Sequence, residues 1–186
     1  MTDYISKVDI DNLILKDTSP NEALDTLKKQ KKKFDDSWSK IELLNNYQDT
    51  LEQSATVVKE IEWFDKKWNN RNKLWENVNS FNSDYAHWMG ANFKEQVDAS
   101  DVEKKVKNYL VVCNDVKINF PKNYKDEVLD MLSVKVREVN SMLDLILALG
   151  NKALMPKHWK MIFELVDKDD NPQGNYTLKD FKDWGM

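Results

Sequence analysis

The chain has 186 residues, of which 32% are charged and 41% are hydrophobic, and its formal net charge is −4. This length is sufficient for one domain with a substantial core. The four glycines stand far apart, which excludes both a G-x-x-x-x-G-K-[ST] phosphate loop and a G-x-G-x-x-G dinucleotide turn. Basic and acidic residues are mixed in both halves of the chain, so the composition does not predict a nucleic-acid-binding surface.

The sequence also lacks the features of a secreted or membrane protein. The single cysteine, Cys113, cannot close an internal disulfide, and residues 1–4 lack the cationic and apolar regions of a signal peptide. The longest strongly apolar stretch, residues 142–149, contains Asp144 and is far shorter than the roughly 20 residues that cross a bilayer. We therefore expect an intracellular chain without a membrane partner. We interpret Cys113 as a small core residue rather than a nucleophile.

Two long helices are predicted in the N-terminal half. Ser19, Pro20 and Glu22 form a capping box that begins the first helix, over about residues 20–53. The second apolar stripe ends at Gly90, and at about 1.5 Å per residue its helix is on the order of 50 Å long. We interpret its aromatic residues as core anchors rather than a ligand box. The stripes are Leu24, Leu27, Phe34, Trp38, Ile41, Leu44, Tyr47 and Leu51, and then Val58, Ile61, Phe64, Trp68, Trp75, Val78, Phe81, Tyr85 and Trp88.

Shorter helices are predicted in the C-terminal half. Ser100 opens a second capping box for a helix that reaches about residue 119, and Pro121 separates it from a fourth helix. We expect Gly150 to end the fourth helix in a left-handed C-terminal cap. Pro156 begins a fifth helix, and residues 177–180 open a last short turn. The fourth stripe is Tyr124, Val128, Met131, Leu132, Val139, Met142, Leu143, Ile146 and Leu149.

The predicted fold class is all-α. No segment alternates with period two, so we expect no strand apart from a local extended piece near residues 175–178. The predicted architecture is an elongated bundle of antiparallel helices, with two long N-terminal helices followed by shorter ones. The predicted parts are a leader over residues 1–18, a long helical hairpin over residues 19–96 and a helical base over residues 97–186.

Residues that might carry chemistry are sparse. Residues 167–178 match a calcium-binding loop at positions one, three and five, but Pro172 replaces the turn glycine and Leu178 replaces the bidentate glutamate. We interpret this segment as a polar turn. His87 and His158 have no ligand partner at metal-binding spacing. The residues therefore predict a helical scaffold with no catalytic residue, no cofactor site and no metal site.

The C-terminal third resembles a known family. Residues 151–162 read N-K-A-L-M-P-K-H-W-K-M-I and resemble the N-P-x-[LM]-[KR]-x-[RK]-H-W segment of dynein heavy chains, at the base of the linker that joins the tail to the motor ring. Residues 176–181 are similar to the L-T-L-x-[DE]-L/F continuation of that family. Lys152 stands where the family usually has proline, and Met155 stands where a basic residue is usual.

The upstream sequence extends the resemblance. Residues 63–75 are similar to the tryptophan-rich helix of the family, and residues 85–93 with residues 97–103 are similar to its W-x-x-[GS]-x-F-x-x-[LV]-[DN]-x-[ED] segment. The resemblance covers about residues 20–186. The residues that match the family motifs are Trp75, Trp88, Gly90, Phe93, Asn151, Leu154, His158, Trp159 and Leu178.

The resemblance implies a fragment from the tail-to-linker junction of a much longer heavy chain, which moves along microtubules by hydrolysing ATP in a ring of AAA+ modules. ATP and magnesium belong to that ring, and the fragment is a mechanical segment without enzyme activity. The helical base would continue beyond residue 186 into the linker. We expect Trp159 to pack the fifth helix against the end of the fourth, near Ile146 and Leu149.

The implied partners are the rest of the heavy chain and other dynein subunits, with neither nucleic acid nor membrane among them. The fragment itself is expected to be monomeric. Its implied location is the cytoplasm and the cytoskeleton, and the sequence leaves a cytoplasmic and an axonemal, ciliary parent open. The alternative function is a free-standing helical-bundle adaptor that binds a partner helix or protein.

Overall fold

The computed structural model describes residues 17–54, 60–122, 124–168 and 176–185. Most of the predicted leader, the centre of the calcium-like segment and Val58 lie outside the described residues, as does the side chain of Ile61. The described part of the chain contains eight helices and no strand, so the all-α prediction is confirmed. The antiparallel arrangement of the helices stays a prediction.

Eight helices follow one another along the described residues. The two longest come first, as predicted, and each has 31 residues. The helices are α1 (Pro20–Thr50), α2 (Glu60–Gly90), α3 (Phe93–Gln96), α4 (Ala99–Ile118), α5 (Glu127–Ser141), α6 (Leu143–Leu149), α7 (Pro156–Leu165) and α8 (Leu178–Asp183). Within the described residues, no helix is long and apolar enough to span a bilayer.

Helix α1 begins where the sequence predicts. The Ser19 hydroxyl accepts a hydrogen bond from the Glu22 backbone N–H at 3.3 Å and donates to the Glu22 carboxylate at 3.0 Å. These bonds satisfy part of the hydrogen-bonding need of the first helical turn. The predicted stripe is buried only in the first half of α1, while Leu44, Tyr47 and Leu51 are exposed among the described residues.

Helix α4 begins two residues earlier than its predicted capping box implies. Asp98 is the capping residue, since its Oδ1 accepts hydrogen bonds from the backbone N–H of Ser100 at 2.9 Å and of Asp101 at 3.4 Å. The predicted N-cap at Ser100 is therefore wrong. An aspartate two residues before Ser100 places its carboxylate within reach of the first free N–H groups, and so the helix starts at Ala99.

The predicted fourth helix is divided into α5 and α6. Met142 separates them, and its N–H donates to Val139 O at 3.0 Å, a tighter turn than that of an α-helix. Gly150 has φ −76°, so the predicted left-handed cap is wrong. This glycine instead allows a close approach, because a Cβ at Gly150 would lie 2.5 Å from the Ala99 Cβ and 3.0 Å from Ile146 O.

We expect Gly150→Ala to lower the free energy of unfolding by about 1–3 kcal/mol, since the added methyl group overlaps the Ala99 methyl group. Urea denaturation monitored by circular dichroism measures this change. Gly90→Ala is the matched control, because no atom lies within 4 Å of its added Cβ, and it should not destabilise the protein. If Ala99→Gly fails to restore stability in the Gly150→Ala background, the contact between the two methyl groups is not the cause of the destabilisation.

The chain divides into two compact units. The first unit comprises Met1–Asn79 and Asp115–Met131, and the second comprises Ser80–Asn114 and Leu132–Met186. Each unit therefore contains segments that are distant in the sequence. The division predicted at residues 96 and 97 stays a prediction.

The core of the first unit joins α1 to the N-terminal part of α2. The rings of Phe34 and Phe64 stack with their centroids 4.0 Å apart. The Trp68 indole N–H donates to Leu27 O at 2.8 Å, and Lys31 forms an ion pair with Asp65 at 2.9 Å. Burial of the aromatic rings and these bonds fix the register of the two helices within this unit.

The core of the second unit joins the C-terminal part of α2 to α4. The Phe81 ring meets the Tyr109 ring edge to face, with the centroids 5.3 Å apart. Asp84 accepts hydrogen bonds from the Tyr109 hydroxyl at 2.8 Å and from the Lys105 ammonium at 2.9 Å. Burial, with the added effect of Asp84, raises the pKa of Tyr109, so the phenol stays protonated as the donor.

Candidate functional site

Six aromatic side chains meet in the second unit, and we call them the aromatic cluster. They come from α3, α7, α8 and the residues on either side of α8. Aromatic pairs of this kind contribute about 0.5–1.5 kcal/mol each beyond the burial of their surface. The cluster therefore ties together chain segments that are separate in the sequence. Its members are Phe93, Trp159, Phe163, Tyr176, Phe181 and Trp184.

Phe181 is a central member of the cluster. Its ring meets Phe93 edge to face at 5.4 Å and Trp184 at 5.6 Å between the centroids. It also lies nearly parallel to the Trp159 ring, with the centroids 6.3 Å apart and an angle of 24° between the planes. Phe181 and its edge partner Phe93 are fully buried. The short helix α8 is therefore held by contacts on several sides of one ring.

Phe163 links α7 to the chain on both sides of α8. Its ring lies 4.5 Å from the Tyr176 ring and 5.9 Å from the Trp184 ring, measured between the centroids. The neighbouring Trp159 lies 6.0 Å from it on the same helix, and both side chains are buried. Helix α7 thus presents two aromatic residues to the cluster from one face.

Helix α3 adds polar contacts to the cluster. The Lys94 ammonium lies 4.4 Å from the centroid of the Trp159 ring and 5.5 Å from that of Tyr176, which are cation–π distances. The Phe93 backbone N–H donates to Tyr176 O at 2.8 Å. Within the described residues 176–178 there is no strand, and residue 175 of the extended piece expected near residues 175–178 lies outside the described residues.

Local capping bonds set the positions of α7 and α8. The Met155 backbone N–H donates to Nδ1 of His158 at 3.0 Å, which satisfies a group at the start of α7. Thr177 and Asp180 cap α8 reciprocally, with the Thr177 N–H donating to Asp180 Oδ2 at 2.8 Å and the Asp180 N–H donating to Thr177 Oγ1 at 3.3 Å. His158 therefore positions Trp159 through the start of its helix.

The structure brings four of the nine motif residues to one groove of about 630 Å³ in the second unit, namely Phe93, Asn151, Leu154 and Trp159. Asn151 shapes the connection between α6 and α7, because its Oδ1 accepts from the Ala153 N–H at 2.9 Å. Leu149 also lines the groove, and the predicted packing of Trp159 against it and Ile146 stays a prediction.

The other motif residues lie outside that groove. Trp88 is buried with its ring 6.3 Å from that of Phe81, and Leu178 is fully buried at the start of α8. Gly90 is exposed and ends α2, as the sequence predicts. Trp75 is buried in the first unit.

The motif residues include two rings of the aromatic cluster, Phe93 and Trp159, and omit the other four rings and Lys94. Lys94 was not singled out, because a surface lysine gives no sign in the sequence of the ring that it will cover. Trp184 follows α8 by one residue and has no long periodic stripe around it. A tryptophan directly after a predicted helix with a capping box is the signal that was available.

The first unit contains a buried ion pair that the sequence analysis also missed. The Arg71 guanidinium donates to Asp126 Oδ2 through Nη1 and to the Tyr124 hydroxyl at 3.3 Å through Nη2, and both charged side chains are 1% exposed. Asp126 Oδ1 accepts from the Leu129 N–H at 2.9 Å and thereby caps α5. Arg71 falls within the apolar stripe of α2, between Trp68 and Trp75, and a charge in such a stripe is the signal of a buried pair.

Cys113 is buried, and burial raises the pKa of its thiol, although a hydrogen bond from Ser133 and the charge of Arg137 act in the opposite direction. The interpretation of Cys113 as a core residue is confirmed. Among the described residues, no three or more His, Cys, Asp or Glu side chains are grouped to hold a metal ion. The centre of the calcium-like segment, residues 169–175, lies outside the described part of the chain.

The all-helical fold and the aromatic cluster define a helical structural segment. A family model described as dynein heavy chain, N-terminal region 2, matches residues 61–186, and the chain belongs to this family. The matched range contains the aromatic cluster and every motif residue. It begins after α1, so the resemblance is confirmed from residue 61 onward. A search of curated proteins finds no match to the chain.

Proposed function

We propose that the chain is the base of the linker in a dynein heavy chain and that its role is mechanical. The family match over residues 61–186 carries the proposal. A segment that transmits force needs helices whose relative positions resist shear, since a loosely packed helix absorbs the displacement. The aromatic cluster supplies such resistance, because it joins α3, α7 and α8 through buried rings.

The chemistry of the motor belongs elsewhere in this proposal. ATP and magnesium are held by the AAA+ ring of the parent heavy chain, and this segment neither binds nor hydrolyses nucleotide. Its partners are the remaining linker and ring together with other dynein subunits. The parent acts on microtubules in the cytoplasm or in a ciliary axoneme.

A gliding assay with a full-length heavy chain of this family tests the proposal. The test variant replaces Pro156–Leu165 by a flexible Gly-Ser segment of equal length. We expect it to reduce microtubule gliding severely, because the linker base is no longer stiff. Basal ATP hydrolysis should persist, because the ring is unchanged. A variant that replaces the exposed Lys157 and Lys160 by alanine keeps the helix and serves as the control. Normal gliding with the flexible segment would rule out a mechanical role for α7.

A free-standing adaptor remains the second candidate, and one observation favours it. Leu44 and Tyr47 on the C-terminal half of α1 and Leu51 directly after it are exposed among the described residues, and all three lie outside the range of the family match. A messenger RNA that continues from this coding sequence into AAA+ phosphate loops would decide for the motor. A stop codon in the mature transcript directly after Met186 would decide for the adaptor.

A further inference from the structure

The imidazole of His158 caps helix α7 from within the first turn of that helix. The Met155 backbone N–H donates to Nδ1 of His158 at 3.0 Å, and His158 is the third residue of the helix. At this position glutamate or glutamine usually accepts the bond from the N–H of the capping residue. Histidine differs from both because its side chain ordinarily changes charge between pH 5 and 8. The cap of α7 therefore depends on a group that titrates near neutral pH.

Only the neutral ring of His158 makes this bond. A backbone N–H can only donate, so Nδ1 accepts through its lone pair and the proton of the neutral ring is on Nε2. Protonation adds a proton to Nδ1, which then donates and no longer accepts. His158 is half-buried and Met155 is exposed, so water reaches the bond. In the protonated state the Met155 N–H loses its partner.

No described carboxylate lies within ion-pair distance of the His158 ring. The first turn of α7 contains no acidic residue, and the positive end of the helix dipole lies there. A proton on the ring therefore has no paired carboxylate among the described residues to offset its repulsion from the helix terminus. The charged residues of α7, of the elements that pack against it and of the groove beside Trp159 are Lys94, Glu95, Asp98, Lys152, Lys157, Lys160, Glu164, Lys179, Asp180, Lys182 and Asp183.

Loss of this bond loosens the turn that carries Trp159. Pro156 occupies the first position of α7 and has no N–H, so its backbone adds no bond of its own to that turn. The Trp159 N–H donates to Met155 O at 3.3 Å. The Trp159 ring is buried and packs beside the rings of Phe163 and Phe181. A first turn that frays at Met155 therefore disturbs a ring of the aromatic cluster.

We propose that His158 is a pH-sensitive cap, through which its own protonation controls the packing of the aromatic cluster. The neutral ring holds the first turn of α7, and the protonated ring releases the Met155 N–H. The second unit is therefore more stable above the titration range of histidine than below it. This inference does not depend on the linker-base function, because it concerns packing within this chain alone.

A comparison with His158→Gln on the complete 186-residue chain tests the proposal, because glutamine accepts the same bond at every pH. The equilibrium constant for unfolding in urea is measured at pH 8 and at pH 5. We expect the constant of the wild type, divided by that of His158→Gln, to rise about fivefold between pH 8 and pH 5, as the loss of one cap predicts. Carboxylates that titrate in both proteins cancel in this ratio. A ratio that stays constant would overturn the proposal.

NMR spectroscopy separates the cap from other effects of charge. In the wild type, the Met155 amide resonance and the Trp159 indole N–H resonance should shift with the same midpoint as the His158 ring. At pH 8 the ring nitrogen shifts should identify Nδ1 as the nitrogen without a proton. Either resonance failing to follow the ring would contradict the proposal, and so would a proton on Nδ1 at pH 8.

His87→Gln is the matched control, because His87 is the other histidine of the chain and is exposed in the last turn of α2. A positive charge is favourable at that end of a helix, so the corresponding ratio should not rise between pH 8 and pH 5. An equal rise for both histidines would show that the cap is not the cause. His158→Lys cannot accept the bond at either pH, so its ratio to His158→Gln should stay constant. A rise as large as that of the wild type would also overturn the proposal.

Discussion

Asp126→Ala is expected to lower the free energy of unfolding by about 3–5 kcal/mol, because it leaves the Arg71 guanidinium charged and buried without its carboxylate. The same change removes the oxygen that accepts the Leu129 N–H at the start of α5, which contributes about 1 kcal/mol of the loss. Urea denaturation, followed by circular dichroism and tryptophan fluorescence, measures both effects together. Asp126→Asn keeps an acceptor for the cap, and so it should fall between the wild type and the alanine variant.

Asp115→Ala is the matched control for this prediction. It breaks the Lys73–Asp115 pair, whose side chains are about half exposed, and exposed pairs contribute about 0–1 kcal/mol. The double variant Arg71→Met/Asp126→Leu should recover much of the stability, because replacing a buried pair by apolar groups is often nearly neutral. If Asp126→Ala lowers the free energy of unfolding by no more than Asp115→Ala does, burial does not make the loss of the Arg71–Asp126 pair more costly than the loss of the exposed Lys73–Asp115 pair.

Periodicity predicted the helices well because it reports the side of a helix that is buried. The stripe from Phe64 to Trp88 predicted α2 as one long helix that ends at Gly90, and the structure agrees. The same stripe could not reveal that Arg71 is buried, since that depends on Asp126, which lies 55 residues further along the chain. Long-range partners of this kind have no local pattern in the sequence.

Helix ends were less predictable because short-range alternatives compete. Asp98 and Ser100 are both good capping residues, and the sequence alone does not decide between them. Gly150 follows the last apolar residue of α6, where a glycine in the left-handed conformation is common. Here a glycine is required for a different reason, because Ala99 lies too close to leave room for a Cβ at position 150. The role of that glycine comes from a tertiary contact, which no local rule contains.

The candidate site was also predictable only in part. The family motif marked Phe93 and Trp159, and the structure places both beside the groove of the second unit. The rings that surround them, Phe163, Phe181 and Trp184, lie on other elements and were not marked as site residues. A motif identifies positions with a shared role, but its packing partners emerge only when the segments are brought together.

Trp159→Ala is expected to cost about 3–5 kcal/mol of stability in the second unit, because a buried tryptophan leaves a cavity that its neighbours fill only in part. The loss includes the near-parallel contact with Phe181 and the cation–π contact with Lys94. We expect α7 and α8 to melt before α1 and α2, because the rings of Phe163 and Phe181 that pack on Trp159 belong to α7 and α8. Hydrogen exchange resolved by residue, with increasing temperature, measures this order of melting.

Trp63→Ala is the matched control, because that tryptophan is half exposed and its removal leaves no buried cavity. On the linker-base function proposed above, Trp159→Ala in a full-length heavy chain should slow microtubule gliding while most basal ATP hydrolysis remains, because the change loosens the linker base and leaves the ring intact. Lys94→Met separates packing from charge, since it keeps an apolar chain over the ring and removes only the ammonium. If Trp159→Ala leaves both the hydrogen exchange of α7 and α8 and the gliding velocity at wild-type values, the aromatic cluster does not stiffen the linker base.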